Sequence, residues 1–433
     1  MKFRSPRLLL CTLVTLFIPL TSSWFNRPTQ AAPRPADIAF RTQMIDPGYS
    51  ETVAVADLNH DGRPDIISAD SWYEAPNWTK HPLRTVNYAS GYVDDFTDIA
   101  IDVDGDGWTD VVQFSYFAHN IVWLKNPGRH KSGQPYLPWT VTEIDSSGPS
   151  EFGFLVDLNN DGKAQELLPE IDRPNVPLAW YELVAGKFVK HIVAPHGFGH
   201  GIGVGDVNGD GRNDILTPKG WLEAPPDVHA AGAWTFHATD WDQHPIPAAG
   251  HNVPVPAANP RGTQFGYMHL IDINGDGRPD LLTTFAHDYG LVWFENAGNN
   301  QWIEHIIDNT WSQAHASTLA DLNGDGQLDL ITGKRYFAHN GADPGEREPI
   351  GLYWYEFRKV PVTQPNEAGP GNGGVEWIRH IVDYGGRMGG GMQIVAADMD
   401  GDGNLDIVSG GKAGLFLATN LTRAPRADPR ASH

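Results

Sequence analysis

The chain has 433 residues and carries 53 acidic against 31 basic side chains, a formal net charge of −22 that argues against nucleic acid and anionic membrane surfaces as partners. Its one cysteine, Cys11, excludes a disulfide scaffold, while 15 Trp, 18 Phe and 13 Tyr in a chain of this length suffice for a large core. G-x-S-x-G, H-E-x-x-H and a phosphate-binding glycine loop with its lysine are all missing, which sets aside the commonest hydrolase and nucleotide-binding chemistries.

The amino terminus reads as a secretory signal over residues 1–31. Lys2, Arg4 and Arg7 precede an apolar run from Leu8 to Leu20, too short to span a bilayer comfortably, and small residues lead to a cleavage point after Ala31. Cys11 lies inside that run, so the mature protein has no cysteine. The reading implies a secreted or periplasmic protein with no membrane span once the signal is removed.

From residue 32 to 421 the chain is organised by one nine-residue motif that recurs seven times. Place one is Asp57, Asp102, Asp157, Asp206, Asp272, Asp321 or Asp398; place three is Asn59, Asp104, Asn159, Asn208, Asn274, Asn323 or Asp400. Place five is Asp61, Asp106, Asp161, Asp210, Asp276, Asp325 or Asp402, followed each time by glycine. Place nine is Asp65, Asp110, Asp214, Asp280, Asp329 or Asp406, and the third copy departs with Gln165 there and Glu166 beside it. Oxygens at alternate places of a tight loop converge on one hard cation, and the glycine lets the backbone turn back. Calcium, up to seven ions, is the expected occupant. The twelfth places hold Ser68, Gln113, Leu168, Thr217, Thr283, Thr332 and Ser409 rather than Glu, and the flanks are short apolar runs of strand character, so these are not EF-hands.

The D-x-[DN]-x-D-G-x-x-D loops between strands resemble the FG-GAP/VCBS repeat family, over roughly residues 38 to 421. The resemblance implies an all-β, seven-bladed β-propeller with calcium in the turn between the first two strands of each blade. It does not fix an activity, since adhesive ectodomains and carbohydrate-active enzymes share the repeat.

Signals around each motif repeat too, and they read as four antiparallel strands per copy. An apolar run precedes the Asp loop, and a second follows it, such as DIIS from Asp65 or DILT from Asp214. The third strand is aromatic, as in SWYEAP at Ser71, LVWFENAG at Leu291 and LYWYEF at Leu352. The fourth is W-x-x-H: Trp78 with His81, Trp241 with His244, Trp302 with His305 and Trp377 with His380, varied as Trp139 with Thr142 and Phe188 with His191. The last copy runs out after its third strand, whereas FRTQMID from Phe40 to Asp46 fits a fourth strand standing ahead of the first copy. Residues 38–46 are therefore expected to pair with 413–421 and close the ring. Insertions fall at HPIPAAGHNVPVPAANPRG from His244, NGADPGEREP from Asn340 and VTQPNEAGPGNGGVE from Val362, and residues 422–433 read as a disordered tail.

Histidines that recur at one place in the outer strand read as architectural. Those that break the repeat point to a site. His200, His269 and His315 each precede a motif by a few residues, at the channel end of an innermost strand, and are the candidate catalytic residues. Three neutral imidazoles suit one transition metal at the propeller axis. His196 also breaks the repeat, and Glu51 and Glu151 hold the place of His200 and His315 in their own copies. Loops after the second strands supply His119, His287 and His339, with Lys219, Lys334 and Arg335 at the same end; together with Glu151 these are the candidate substrate-binding residues.

Rings and polar groups around one mouth suit a carbohydrate or another small polar ligand, on the face opposite the calcium loops. The strand PHGFGHGIGVGDVNGDGR and the FAHN loops also resemble the propeller of aldos-2-ulose dehydratase-type proteins. That resemblance implies a sugar dehydratase or lyase, which eliminates water or an alcohol next to a carbonyl. The alternative is a non-catalytic adhesive or ligand-binding module.

Overall fold

The computed structural model describes residues 37–129, 134, 136–146, 148–230, 232, 234–243, 264–360 and 374–422. The expected signal segment, His244 with the Pro-rich stretch after it, most of the stretch from Val362, and the tail from 423 lie outside the described residues. Among the described residues no helix is long and apolar enough to cross a membrane.

Antiparallel four-stranded meanders are the unit of the fold, and each Asp motif is the turn between the first and second strand of one of them. The first copy runs Ala54–Ala56, Asp65–Ser68, Ser71–Glu74 and Thr79–Pro82. Second strands such as Asp65–Ser68 and Asp214–Thr217 are buried at every residue, being covered on both faces, whereas fourth strands such as Lys187–Ala194 alternate toward solvent. Successive innermost strands lie against one another, for example Ala54–Ala56 against Thr97–Ile101 and Ala314–Ala320 against Ile394–Ala397, which gives a propeller-like arrangement.

Five separate four-stranded sheets are formed, not the seven expected from the repeat. The fourth and fifth copies share one eight-stranded sheet, because Ile202–Gly205 pairs in parallel with Tyr267–Ile271, matching Ile202 to Tyr267 and Val204 to His269. The sequence GIGVG explains the difference. A Cβ at Gly203 would stand 2.1 Å from the Met268 carbonyl oxygen, so only glycine lets the two backbones come this close.

The carboxylate at place nine is buried in every copy that has it, and its two oxygens join separate parts of the meander. Asp214 accepts the Val207 backbone N–H at 2.9 Å and the Ala224 N–H at 2.8 Å, so it fixes both the loop and the end of the third strand. Asp65, Asp110, Asp280, Asp329 and Asp406 repeat the pair of bonds. In the third copy Glu166 takes the role, one residue later: it stands opposite Val156 in the ladder as Asp214 stands opposite Gly205, and it accepts the Leu158 N–H. Gln165 is a one-residue insertion rather than a substitute.

Outer histidines are architectural, as their recurrence implies. His81, His191, His237, His305 and His380 are direct cross-strand partners of Trp72, Trp180, Trp221, Trp293 and Trp354, and each ring lies 4.1–4.4 Å from the indole. Each Nε2 also meets a glutamate two residues along from the tryptophan, on the same face of the strand: Glu74, Glu182, Glu223, Glu295 or Glu356. One assignment is corrected. The fourth copy's outer strand is Thr235–Ala238, so its pair is Trp234 with His237, and Trp241 sits in a short 3₁₀ turn.

The first and last described strands meet. Phe40–Asp46 pairs antiparallel with Leu415–Asn420, from Phe40 opposite Asn420 to Asp46 opposite Leu415, and completes the seventh copy's sheet. Asp46 then accepts Tyr73 Oη and Lys80 Nζ of the first copy, both at 2.9 Å. Asp145 latches onto Tyr181 and Lys190 in the same way, and Asp308 onto Tyr355 and Arg379. Deleting residues 38–46 therefore bares the edge of Leu415–Asn420 and removes one latch, and the variant is expected to self-associate in gel filtration and melt earlier. A monomer with an unchanged melting temperature would contradict this pairing.

Candidate metal centre at the inner strand ends

Six places ahead of the seven motifs stand Glu51, Phe96, Glu151, His200, Gly266, His315 and Met392. Three of them, Glu151, His200 and His315, come together, and His287 joins them from the loop after the fifth copy's second strand. All four are buried. His200 Nε2 lies 3.3 Å from His287 Nε2, 3.2 Å from His315 Nε2 and 3.4 Å from Glu151 Oε2, and His315 Nε2 lies 3.3 Å from the same carboxylate oxygen. The remaining separations are within 4.8 Å.

Backbone geometry explains why these strand ends converge. His200 and Phe265 are bonded twice, by the Phe265 N–H to the His200 carbonyl and by His200 Nδ1 to the Phe265 carbonyl at 2.6 Å. Gly266, in the same ring position as His315, has no side chain, and a Cβ there would sit 2.3 Å from the His315 carbonyl oxygen. A carbonyl can only accept, so Nδ1 of His200 carries a proton, and Nε2 is the atom turned to the cluster, free to present a lone pair once its own proton is displaced. His287 is fixed in the same sense, its Nδ1 3.1 Å from Asp343 Oδ2, which also accepts His339 Nδ1 at 2.7 Å. The His287 and His339 rings stack 4.5 Å apart. Nδ1 of His315 is buried and has no hydrogen-bond partner among the described residues.

Charges settle around this convergence. Burial opposes charge on His200, but the Glu151 carboxylate and its hydrogen bond, with Glu170, hold its pKa up at about 9. Burial, outweighing their carboxylate partners, pushes His287 down to about 4 and His315 well below its usual value. Burial works against ionised Glu151 also, but His200 and the His315 hydrogen bond keep it well below the carboxylate range. Arg335 is buried beside the cluster, its Nε 3.2 Å from Glu51 Oε2 and its Nη1 3.8 Å from Glu151 Oε2.

Next to this lies an aromatic wall. Tyr92, Phe96, Tyr116 and Phe117 form a chain of ring contacts with centroids 5.2–6.0 Å apart, and Thr97 donates to the Glu151 carbonyl. Lys412 Nζ sits 3.7 Å above the Tyr92 ring, and the Arg335 guanidinium lies against Tyr92 and Phe96.

Expected site residues divide accordingly. His200, His315, Glu151 and His287 are brought together, so the two sets distinguished in the sequence supply one centre. His269 is not part of it. It stands three places deeper than His315 does in its copy, an odd offset that turns a strand side chain to the other face, and its Nε2 meets Ser317 Oγ at 2.9 Å. Burial pushes that ring down to about 4. His339 is one step removed, stacked on His287. Lys334 is buried, donates to Ser312 Oγ at 3.0 Å, and is pushed down by burial to about 8. His119 and Lys219 are exposed and lie outside the cluster, and His196 Nδ1 contacts only the neighbouring Gly197 carbonyl. Tyr92, Glu170, Asp343 and Lys412 were missed; only Asp343 had a signal, its place in the NGADPGEREP insertion.

A second polar knot lies toward the first and second copies. Thr52 Oγ1 and Gln113 Nε2 each donate to both Asp95 and Asp98, Arg84 Nε donates to Gln113, and Asp95 Oδ1 has no partner among the described residues. Burial raises Asp98 to about 6, and burial with the Asp98 charge raises Asp95 well above its usual value.

An FG-GAP-like repeat model matches residues 272–332, the fifth motif through the second strand of the sixth copy. No curated protein matches the sequence. Among solved structures, the chain is similar to an Agrocybe aegerita lectin studied for recognition of non-reducing terminal N-acetylglucosamine, at 15% identity, 79% and 80% coverage of the two chains and a TM-score of 0.42. A rhamnogalacturonan lyase matches at 12% identity, 89% and 75% coverage and a TM-score of 0.43. The extracellular domain of a B. thetaiotaomicron hybrid two-component system matches at 12% identity and 0.43, where this chain spans 88% of its own length but 41% of the other.

The buried acid pair yields a signed prediction. Carboxyls whose folded pKa is raised contribute stability that is complete below about pH 4 and is lost as pH rises through about 6. Asp98→Asn should flatten that fall in urea midpoints measured from pH 4 to 8. The same slope in the variant would contradict the assignment.

Proposed function

We propose that the protein is an exported, calcium-braced seven-bladed propeller that holds one divalent transition metal at its axis, and that it binds and acts on a carbohydrate beside that metal. Counting the eight-stranded sheet as two blades gives seven, one per Asp motif. The Asp46 latch, made as at Asp145 and Asp308, supports a closed ring.

One observation carries the metal. Four donor atoms from separate copies meet, with four of their separations at 3.2–3.4 Å. A tetrahedral ion with bonds of about 2.0–2.1 Å requires ligand edges of about 3.3 Å. Without a metal, His200 holds a second proton on Nε2 among Glu151 and the lone pairs of His287 and His315; a metal ion would displace that proton and take all three imidazoles, for which Asp343 and the Phe265 carbonyl supply the outer partners that metal-bound histidines use. A zinc-class ion suits three imidazoles and a carboxylate, and when bound it would polarise a carbonyl or lower the pKa of a coordinated hydroxyl. His200, His287, His315 and Glu151 would hold it. Tyr116 and Phe117, partly exposed and backed by buried Tyr92 and Phe96, offer ring faces to the apolar side of a sugar, and Lys412 offers a donor to its oxygens.

Elimination next to a sugar carbonyl, the reaction implied by the PHGFGHGIG and FAHN segments, yields an unsaturated carbonyl that absorbs in the ultraviolet. His315→Ala should abolish that signal with uronate or keto-sugar substrates while calcium-dependent stability persists; full activity in the variant would reject the catalytic site. A second reading rests on burial: four protein ligands, all sequestered, are the form of a structural ion, with ligand binding confined to the aromatic mouth. Under it, His315→Ala lowers the melting temperature and leaves sugar binding in place.

The Asp loops generate the calcium prediction. Extracellular calcium sites have Kd values near 10⁻⁴–10⁻³ M, so millimolar calcium should add about 1 kcal/mol per occupied loop, and a chelator should lower the melting temperature. An unchanged melting temperature would contradict it.

A further inference from the structure

We infer that the outer rim carries a second transition-metal site, between the third and fourth copies, formed by Glu182, His191 and His229. Glu182 and His191 belong to the Trp–His–Glu set of the third copy. His229 arrives from the connection between Gly220–Glu223 and Thr235–Ala238 in the fourth copy. His191 Nε2 and His229 Nε2 lie 3.1 and 3.2 Å from the same Glu182 oxygen, Oε2. The two imidazoles face each other edge to face at 4.9 Å, and their ligand atoms with that of Glu182 all lie within 4.8 Å of one another.

Comparison within the molecule separates this place from ordinary architecture. Trp72, Trp221, Trp293 and Trp354 head four further sets of the same build, and in each the glutamate meets one histidine. Only the third copy adds another imidazole among the described residues, and that imidazole has its own orienting group. Asp227 Oδ1 accepts the His229 backbone N–H at 3.1 Å and lies 3.4 Å from His229 Nδ1. The Asp227 carboxylate beside Nδ1 favours the ring proton on that nitrogen, which would leave the Nε2 lone pair toward Glu182, the carboxylate–histidine pairing that supports metal ligands. His191 is fixed independently by stacking on Trp180 at 4.4 Å.

Two imidazoles and one carboxylate select zinc, nickel or copper over calcium or magnesium. The side chain of His229 is 45% exposed, so an ion has an entry path and a fourth position open to water. Bound there, it would tie two neighbouring copies at the rim.

The test titrates metal-stripped protein, kept in excess calcium, with zinc alone and counts ions retained per chain after desalting. His229→Ala and His229→Gln are each expected to hold one ion fewer than wild type with an unaltered circular dichroism spectrum. Asp227→Asn should weaken the same ion about 10-fold without removing it. His315→Ala should retain it. Should the axial site fail, wild type would bind a single ion that His229→Ala abolishes. Equal zinc stoichiometry and affinity in wild type and both His229 variants would overturn the proposal.

Discussion

In six of the seven copies one buried carboxylate ties the turn after the first strand to the end of the third, while in the third copy Glu166 holds the loop alone, and the rest of the fold is hung on that tie. In those six each oxygen takes a backbone N–H that would otherwise be buried without a partner, at a cost of about 1–3 kcal/mol apiece. The same carboxylate sits beside the acidic loop it anchors. Burial, with the charges of Asp57 and Asp61, raises Asp65 to about 7, and Asp329 is raised likewise beside Asp321 and Asp325. The loops thus combine strong local hydrogen bonding with unfavourable charge density. Within a loop, Asp206 accepts the N–H groups of Gly209, Asp210 and Gly211, which shapes the turn. A hard cation would relieve the repulsion that this shape leaves.

Because the tie fixes each innermost strand in the same register, it also fixes what stands at that strand's far end. The place six residues ahead of each motif becomes a ring position, and the chain spends it differently in each copy. Glutamate, histidine and histidine at three of those positions meet; glycine at a fourth allows backbone approach, and His287 enters from the adjoining loop. Asp343 reaches in from a long connection and holds both His287 and His339. The centre is therefore assembled by repetition and completed by two departures from it.

Repetition is also what made the fold readable. The spacing of Asp206, Asn208, Asp210 and Asp214 located the turns, and the period of the tryptophans located the outer strands except in the fourth copy, where Trp241 stands beyond the strand Thr235–Ala238. Recurrence correctly sorted His81 or His305, which pack on tryptophan, from His200 and His315, which do not. What recurrence could not convey was depth along a strand: His269 lies close in sequence position to its counterparts but an odd number of residues away, so it faces elsewhere. Nor could it place loop residues, since His287 and Asp343 arrive through connections whose path no local pattern dictates. The union of two copies into one sheet depends on three glycines whose effect is visible only against Met268, Phe265 and Leu270.

X-ray absorption at the edge of the retained metal, on His229→Ala protein so that the axis alone is observed, tests the central claim most directly. The account predicts a shell of four nitrogen or oxygen ligands at about 2.0–2.1 Å with the outer scattering of three imidazoles. His287→Ala should reduce the imidazole count to two. A chain that retains no transition metal after purification and zinc loading, or a shell without imidazole scattering, would contradict it.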